Sequence, residues 1–228
     1  MKEDGTILSE CYMASGSKNF RRFMPAIDFL LSNSNVVMED IKALIVATGP
    51  GSFTGLRVGL SEAKGMAQGI QIPIIGVSSL EAMAAQLPFA ALPVCAIIHS
   101  RKGEVFAALF SWVDDQGMVR TQQDTCLRIE DLTSIIEKPT LFLGNDYNTQ
   151  GHLLREMLGP KAELAPAHLW NLKASAVGTL GLKRFLAQDF DDLQELVPTY
   201  LRPPDIRPNP YVLKSKRMDT NDSGDTGP

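Results

Sequence analysis

Residues Ala43 to Thr48 read Ala-Leu-Ile-Val-Ala-Thr, six positions without a charge, and the turn residues Gly49-Pro50-Gly51-Ser52 follow at once. A short apolar run closed by a turn predicts a strand covered on both faces. A helix is expected from about Phe53 to Gly69. A second apolar run, Pro73 to Val77, leads into a helix from Ser78 to Gln86, with Ser78 as N-cap and Glu81 three residues on. Strand, helix, strand in that order predicts a parallel pair joined by a right-handed crossover. The chain therefore reads as α/β, and its 228 residues, 44% of them hydrophobic, suffice for one large domain or two small lobes.

The flanking segments are less regular. Thr6 to Met13 shows the weak alternation of a strand, preceded by the hairpin-turn dipeptide Asp4-Gly5. Only Met1 to Glu3 stand before that turn, so it is either an unpaired tail or the remainder of a hairpin. Phe20 to Ser32 reads as a helix, because Phe20, Phe23, Met24, Ile27, Leu30 and Leu31 recur at helical spacing. Pro25 counts against it, since an interior proline costs about 3 kcal/mol. Pro93 to Ile98, Glu104 to Ser111 and Val119 to Leu127 read as strands of a meander, and Thr140 to Gly144 as a further strand. Ile129 to Glu137, Thr149 to Leu158 and Lys173 to Gln188 read as helices. The expected division is a first lobe over 1–98, a second over 99–190, and a proline-rich return segment with a polar tail over 191–228.

The glycine turn lies between a buried strand and a helix, where free backbone N–H groups at Gly49, Gly51, Ser52 and Thr54 can contact an anion or nucleotide. It is neither a Walker A loop, since Leu56 stands where lysine would follow Gly55, nor a clean dinucleotide fingerprint. A helix terminus contributes about 0.3–1 kcal/mol to a charge, whereas millimolar affinity needs about 4 kcal/mol. A purely structural turn is the competing reading. In the helix behind it, Gly55, Gly59, Ala63 and Ala67 recur every four residues as a smooth stripe. Interior glycines cost about 1 kcal/mol relative to alanine, which close approach of another backbone would offset. That backbone belongs either to this chain or to a partner.

Several function classes are disfavoured. Lys plus Arg is 22 against 26 Asp plus Glu, a formal charge of −4, so nucleic acid is not expected to bind without a partner's charge. No apolar run approaches the ~20 residues of a bilayer span, and Met1 to Gly5 do not read as a signal peptide, which predicts a soluble, cytoplasmic chain without membrane contact. Cys11, Cys95 and Cys126 are widely spaced, and His99, His152 and His168 lack metal-ligand spacing, so neither disulfide, structural zinc nor other metal is expected. Ser52 sits on a strand-to-helix turn, but Pro-Gly-Ser-Phe-Thr is not the nucleophile-elbow sequence of hydrolases, which leaves a peptidase a remote alternative. A stand-alone ATP-dependent phospho- or carbamoyltransferase would need acids near the phosphates. Asp40, Glu62 and Glu104 are the candidates, without a telling spacing.

The undecapeptide Gly49-Pro50-Gly51-Ser52-Phe53-Thr54-Gly55-Leu56-Arg57-Val58-Gly59, with Ile75-Gly76-Val77-Ser78-Ser79-Leu80 after it, resembles the TsaB/YeaZ family of bacterial tRNA threonylcarbamoyladenosine biosynthesis proteins. The similarity continues through Arg101-Lys102-Gly103-Glu104-Val105-Phe106 and Pro198-Thr199-Tyr200-Leu201-Arg202, and covers nearly the whole chain from Gly5 to about Arg202. It implies the two-lobe actin/sugar-kinase/Hsp70-like (ribonuclease H-like) α/β fold with mixed sheets flanked by helices. It implies a non-catalytic partner of a TsaD-like transferase, acting with a TsaE-like ATPase, on position 37 of tRNA reached only through the complex. ATP and magnesium then belong to the complex rather than to this chain, and a homodimer is the expected form of the subunit alone. The family's dimer face maps to the first two helices, hence to Phe20, Phe23, Met24, Ile27, Gly55, Gly59, Ala63 and Ala67. Two departures stand out. The family's opening strand, of the type Ile-Leu-Ala-Ile-Asp-Thr, has no counterpart here, which favours the lost-hairpin reading of Asp4-Gly5 and predicts a bare strand edge. The family's His-Ser at the start of the first helix is replaced by Asn19-Phe20.

Overall fold

The structure, a computed structural model, describes residues 1–13 and 22–202. Strands β1 (Leu44–Gly49) and β2 (Ile74–Ser78) run parallel, with Leu44 opposite Ile74 and Ala47 opposite Val77. Helix α2 (Phe53–Ile70) joins them, capped by Ser52, whose Oγ accepts the Gly55 N–H. Helix α3 (Ser79–Ala84) starts directly after β2, and the Ser78 Oγ accepts the Glu81 N–H as its cap residues predict. A second sheet is built from β3 (Val94–Arg101), β4 (Glu104–Val113), β5 (Gly117–Arg128), β6 (Thr140–Leu143) and β7 (Ala162–Leu164), in the order β5-β4-β3-β6-β7. The first three form the antiparallel meander, and β6 and β7 add in parallel on the other side of β3. Helices α4 (Leu132–Ile135) and α5 (Tyr147–Leu158) belong to this half, and α1 (Phe23–Asn33) precedes β1.

The larger core lies on this second sheet, where Val94, Cys95, Ala96 and Ile97 of the central strand are fully buried among Phe110, Phe142, Leu154 and Trp170. The first sheet is covered from both sides. Leu44, Val46 and Ile74 meet Leu60 and Ala67 of α2. Ile45, Ala47, Ile75 and Val77 meet Val177 and Leu180 of α6 (Ala174–Leu186), a helix that returns from beyond the second sheet. Gly181 permits that approach, because any Cβ there would collide with Ile45. Among the described residues no helix is long and apolar enough to cross a membrane.

Several expectations differ from the outcome. The first helix spans Phe23–Asn33, and Phe20 lies outside the described residues. Pro25 falls in the first turn, where its missing N–H would have no intrahelical acceptor, so the penalty does not arise. Thr6 to Met13 is an exposed extended arm rather than a strand. The turn at Asp4-Gly5 does form, with the Lys2 N–H bonded to the Thr6 carbonyl at 2.8 Å, but no described strand lies alongside the arm to continue a ladder. The helix expected over 129–137 is a 3-10 turn (Ile129–Asp131) followed by the four residues of α4. Pro139 disfavours helical geometry at Lys138, and β6 begins at Thr140. Strand β7 was not anticipated; three residues carry no periodicity. The sequence boundary at residue 98 falls inside β3, whose residues 94–98 sit at the centre of the second sheet.

Candidate functional site

Two features bring the singled-out residues together. The first is a cleft of about 680 Å³ between the start of α2 and the second sheet, lined by Gly51, Ser52, Thr54, His99, Arg101 and Arg202 among others. Gly49 turns the chain into this wall at φ +115°, and a Cβ there would stand 2.9 Å from Leu56 Cδ1 and 3.1 Å from the Thr199 carbonyl oxygen. The glycine is required by the return of the C-terminal segment, whose Thr199 N–H bonds the Thr48 carbonyl at 2.8 Å. Arg57 fastens the same segment. Its Nε donates to the Tyr200 hydroxyl at 3.0 Å, its guanidinium lies 4.4 Å above the Phe53 ring, and Phe53 packs on Tyr200 at 5.3 Å.

Arg101 and Arg202 of the opposite wall pair with Glu104, at 2.6 Å and 3.7 Å. The hydrogen bond from Arg101 lowers the Glu104 pKa below the usual carboxylate range, with the positive charge of Arg202 adding to it. Among the described residues no Asp or Glu lines the cleft itself. Of the three acids a phosphotransferase would recruit, Asp40 accepts the Val37 N–H beside another cavity, Glu62 lies on α2, and Glu104 is engaged by arginine. The Ser52 hydroxyl caps α2, an acceptor role rather than that of an activated nucleophile. No group of three His, Cys, Asp or Glu placed to hold a metal occurs among the described residues.

The second comprises two helices, α1 and α2, which carry the residues expected at a partner face. No residue of α1 is buried, although it carries Phe23, Met24, Ile27, Phe29, Leu30 and Leu31. Met24 is 49% exposed and Phe29 60%, while Phe23 and Ile27 are half-buried. On α2 the glycine-alanine stripe divides. Ala67 is buried against Leu60 and Ile74, with Ala63 beside it. Among the described residues, Gly59, Gly65 and Gly69 have no atom outside their own stretch of helix within 4 Å of where a Cβ would stand, and Gly55 meets its cap residue Ser52. The physical reason is the helix pitch. A repeat of four residues drifts about 40° per step against 3.6 residues per turn, so Ala67 is turned about a third of a revolution from Gly55. The upper stripe is open and the lower end belongs to this chain's own core. Among the described residues nothing lies within 4 Å of a Cβ at Gly59.

Sequence reasoning missed the Arg57–Tyr200 lock and the pairing of Arg101 and Arg202 on Glu104. It also missed Arg184, which bonds Asp189, Asp191 and the Gly76 carbonyl. The contacts of Arg57 with Tyr200, of Arg202 with Glu104 and of Arg184 with Gly76 have no local signal, because the partners are remote in the chain.

Comparison with known proteins gives a consistent likeness. The family model described as tRNA N6-adenosine threonylcarbamoyltransferase matches residues 16–203. The tRNA threonylcarbamoyladenosine biosynthesis protein TsaB of Bacillus subtilis is 33% identical over 211 residues, covering 89% of this chain and 87% of that one. The protein of the same name from Escherichia coli is 39% identical over 107 residues, 46% of each chain. Among solved structures, a Pseudomonas aeruginosa protein with similarity to peptidase YEAZ superposes with a TM-score of 0.66 at 23% identity, over 80% of this chain and 83% of that one. YeaZ from Pseudomonas aeruginosa gives 0.63 at 22%, over 78% and 83%. The structural likeness shows the fold, α/β with mixed sheets flanked by helices, as expected from the sequence.

Proposed function

The chain belongs to the TsaB/YeaZ family, and from that premise we propose that it is a scaffold subunit in tRNA threonylcarbamoyladenosine synthesis, performing no chemistry alone. Its partner is a TsaD-like transferase, docked on the face of α1 and the open glycines of α2. A TsaE-like ATPase, ATP, magnesium and tRNA join at the level of the complex. The observation that carries this reading is an apolar helix with no fully buried residue, together with a helix α2 whose Gly59, Gly65 and Gly69 have no described atom of another segment within 4 Å of a Cβ. Exposed apolar surface of this kind is covered in a working assembly, and glycines let a facing backbone come close. Without the transferase the same face supports a homodimer. The acidic net charge fits a subunit that does not hold tRNA by itself.

A stand-alone ATP-dependent transferase is the second reading. It is weakened by the lack of an acid among the described residues lining the cleft and by the engagement of Glu104 with two arginines. The peptidase reading is weaker still, since Ser52 serves as a helix cap.

The test is co-expression with the cognate TsaD followed by gel filtration with light scattering. A one-to-one heterodimer is expected. Separate elution of the two proteins at micromolar concentration refutes the proposal.

A further inference from the structure

We infer that Glu62 receives a positive charge from the docked partner: the segment that crosses α2 presents one arginine to it from otherwise apolar surface. The inference rests on the scaffold reading above and adds the chemistry of that contact.

Helix α2 carries three charged side chains, Arg57, Glu62 and Lys64. Both cations are committed to this chain's own C-terminal segment. Arg57 Nε donates to the Tyr200 hydroxyl at 3.0 Å, and Lys64 Nζ donates to the carbonyl oxygens of Gln194 at 3.2 Å and Leu196 at 3.1 Å. Glu62 has no such partner among the described residues. Its Oε2 is buried and accepts no hydrogen bond, although the residue as a whole is only half-buried. Its own helix gives no relief, since the positions three and four residues away are Val58, Gly59, Gly65 and Met66, none with a donor side chain.

The helix pitch separates these roles. At about 100° per residue, Gly59, Glu62, Met66 and Gly69 fall within about 80° of one another, and Arg57 and Lys64 lie about half a turn away. The buried Leu60 and Ala67 lie about a third of a turn away, against the first sheet. Neither Gly59 nor Gly69 has a described atom of another segment within 4 Å of a Cβ. The carboxylate therefore stands on a shallow floor that a facing segment can approach closely.

A buried acceptor without a donor carries a desolvation penalty that nothing in the free subunit returns. An ion pair ordinarily forms only after both ions shed water, and that loss can cancel their attraction. Here part of the carboxylate's dehydration precedes docking, so an arriving cation gains more than it would at a fully hydrated acid. A guanidinium suits the place better than an ammonium. It is less strongly hydrated, planar enough to lie over a glycine floor, and able to donate to both carboxylate oxygens. A second copy of this chain suits it poorly, because a symmetric contact centred on this stretch sets Glu62 against Glu62.

The test titrates the full chain into its TsaD by calorimetry at about 50 and about 300 mM salt, with Glu62→Gln and Glu62→Lys beside the parent. Thermal unfolding and light scattering of each subunit alone read its fold and its self-association. Glu62→Gln is expected to bind about tenfold more weakly and Glu62→Lys about a hundredfold, with Tm of the subunit equal or raised. The parent's affinity should fall more steeply with salt than that of Glu62→Gln, which a loss of packing alone does not produce. Binding of Glu62→Gln within threefold of the parent, or an equal salt dependence, overturns the inference and leaves the scaffold reading standing. A fall of several degrees in the Tm of Glu62→Gln overturns it as well, by showing that the carboxylate serves this chain's own fold. If Glu62→Gln weakens self-association and leaves transferase binding intact, the charge serves a second copy and the inference fails. Absence of binding by the parent refutes the scaffold reading, and the inference with it.

Discussion

Replacement of Gly59 by leucine separates folding from docking more cleanly than any other change on the proposed partner face. Among the described residues nothing lies within 4 Å of the position its Cβ would take, so the side chain is expected to enter open space in the isolated subunit. Glycine is about 0.8–1 kcal/mol worse than alanine inside a helix, and leucine is close to alanine. The variant should therefore be more stable by up to about 1 kcal/mol, which for a chain of this size raises Tm by about 2–4 °C. Docking should respond in the opposite direction. Packed helices sit about 8–10 Å apart, the shortest distances requiring small residues at the crossing. A leucine at the contact forces the axes apart, and loss of a central contact costs about 2–4 kcal/mol, or about 30- to 800-fold in Kd. Thermal unfolding of the subunit alone and calorimetric titration with its TsaD, on one preparation, read both effects. Gly59→Ala is the graded control, with the same gain in Tm and a smaller loss of affinity. A Gly59→Leu protein that binds within threefold of the parent would show that the crossing is elsewhere. A fall of several degrees in Tm would show that this chain's own backbone approaches Gly59 after all.

The remaining expectations concern charge, thiols and nucleotide. Arg184 lowers the Asp189 pKa through their hydrogen bond, so this carboxylate stabilises the fold above its unfolded pKa of about 3.9 and the contribution is lost as pH falls through the lower folded value. Urea midpoints measured from pH 7 down to pH 3 should therefore decline at the acid end, and Arg184→Met should flatten that part of the profile; an unchanged slope would remove Asp189 from the account. Burial pushes the Cys95 thiol pKa up to about 12, whereas Cys11 is exposed. Iodoacetamide at pH 8 should label Cys11 in the native protein and Cys95 only after denaturation, as mass spectrometry of digests would report. Calorimetry with ATP and magnesium should give no micromolar binding to the subunit alone; such binding would revive the transferase reading.

Much of the first half of the chain was legible because its determinants are local. Ser52 caps α2 through Gly55, and Ser78 caps α3 through Glu81, each within three residues. The runs Ala43–Thr48 and Pro73–Val77 carry no charge and fall on strands β1 and β2 nearly residue for residue. The same locality explains the failures. Thr6 to Met13 has a strand's alternation, but alternation supplies no neighbour to pair with, and the arm stays outside both sheets. The stripe Gly55-Gly59-Ala63-Ala67 is regular in sequence and still splits between an open and a buried side, because a period of four does not match the helix pitch.

Periodicity, turn chemistry and capping determined the α/β class and the order of most elements, since these act over one or two turns of chain. The return of α6 to cover the first sheet was decided by tertiary structure, as were the bond from Arg57 to Tyr200 across 143 residues and the closure of β2's edge by Asp191. Contacts at that separation depend on how whole layers pack, and no local pattern encodes which distant side chain will arrive. The same holds for the glycines of α2: a residue type announces that space is needed, and only the folded chain shows which of them meet another described segment.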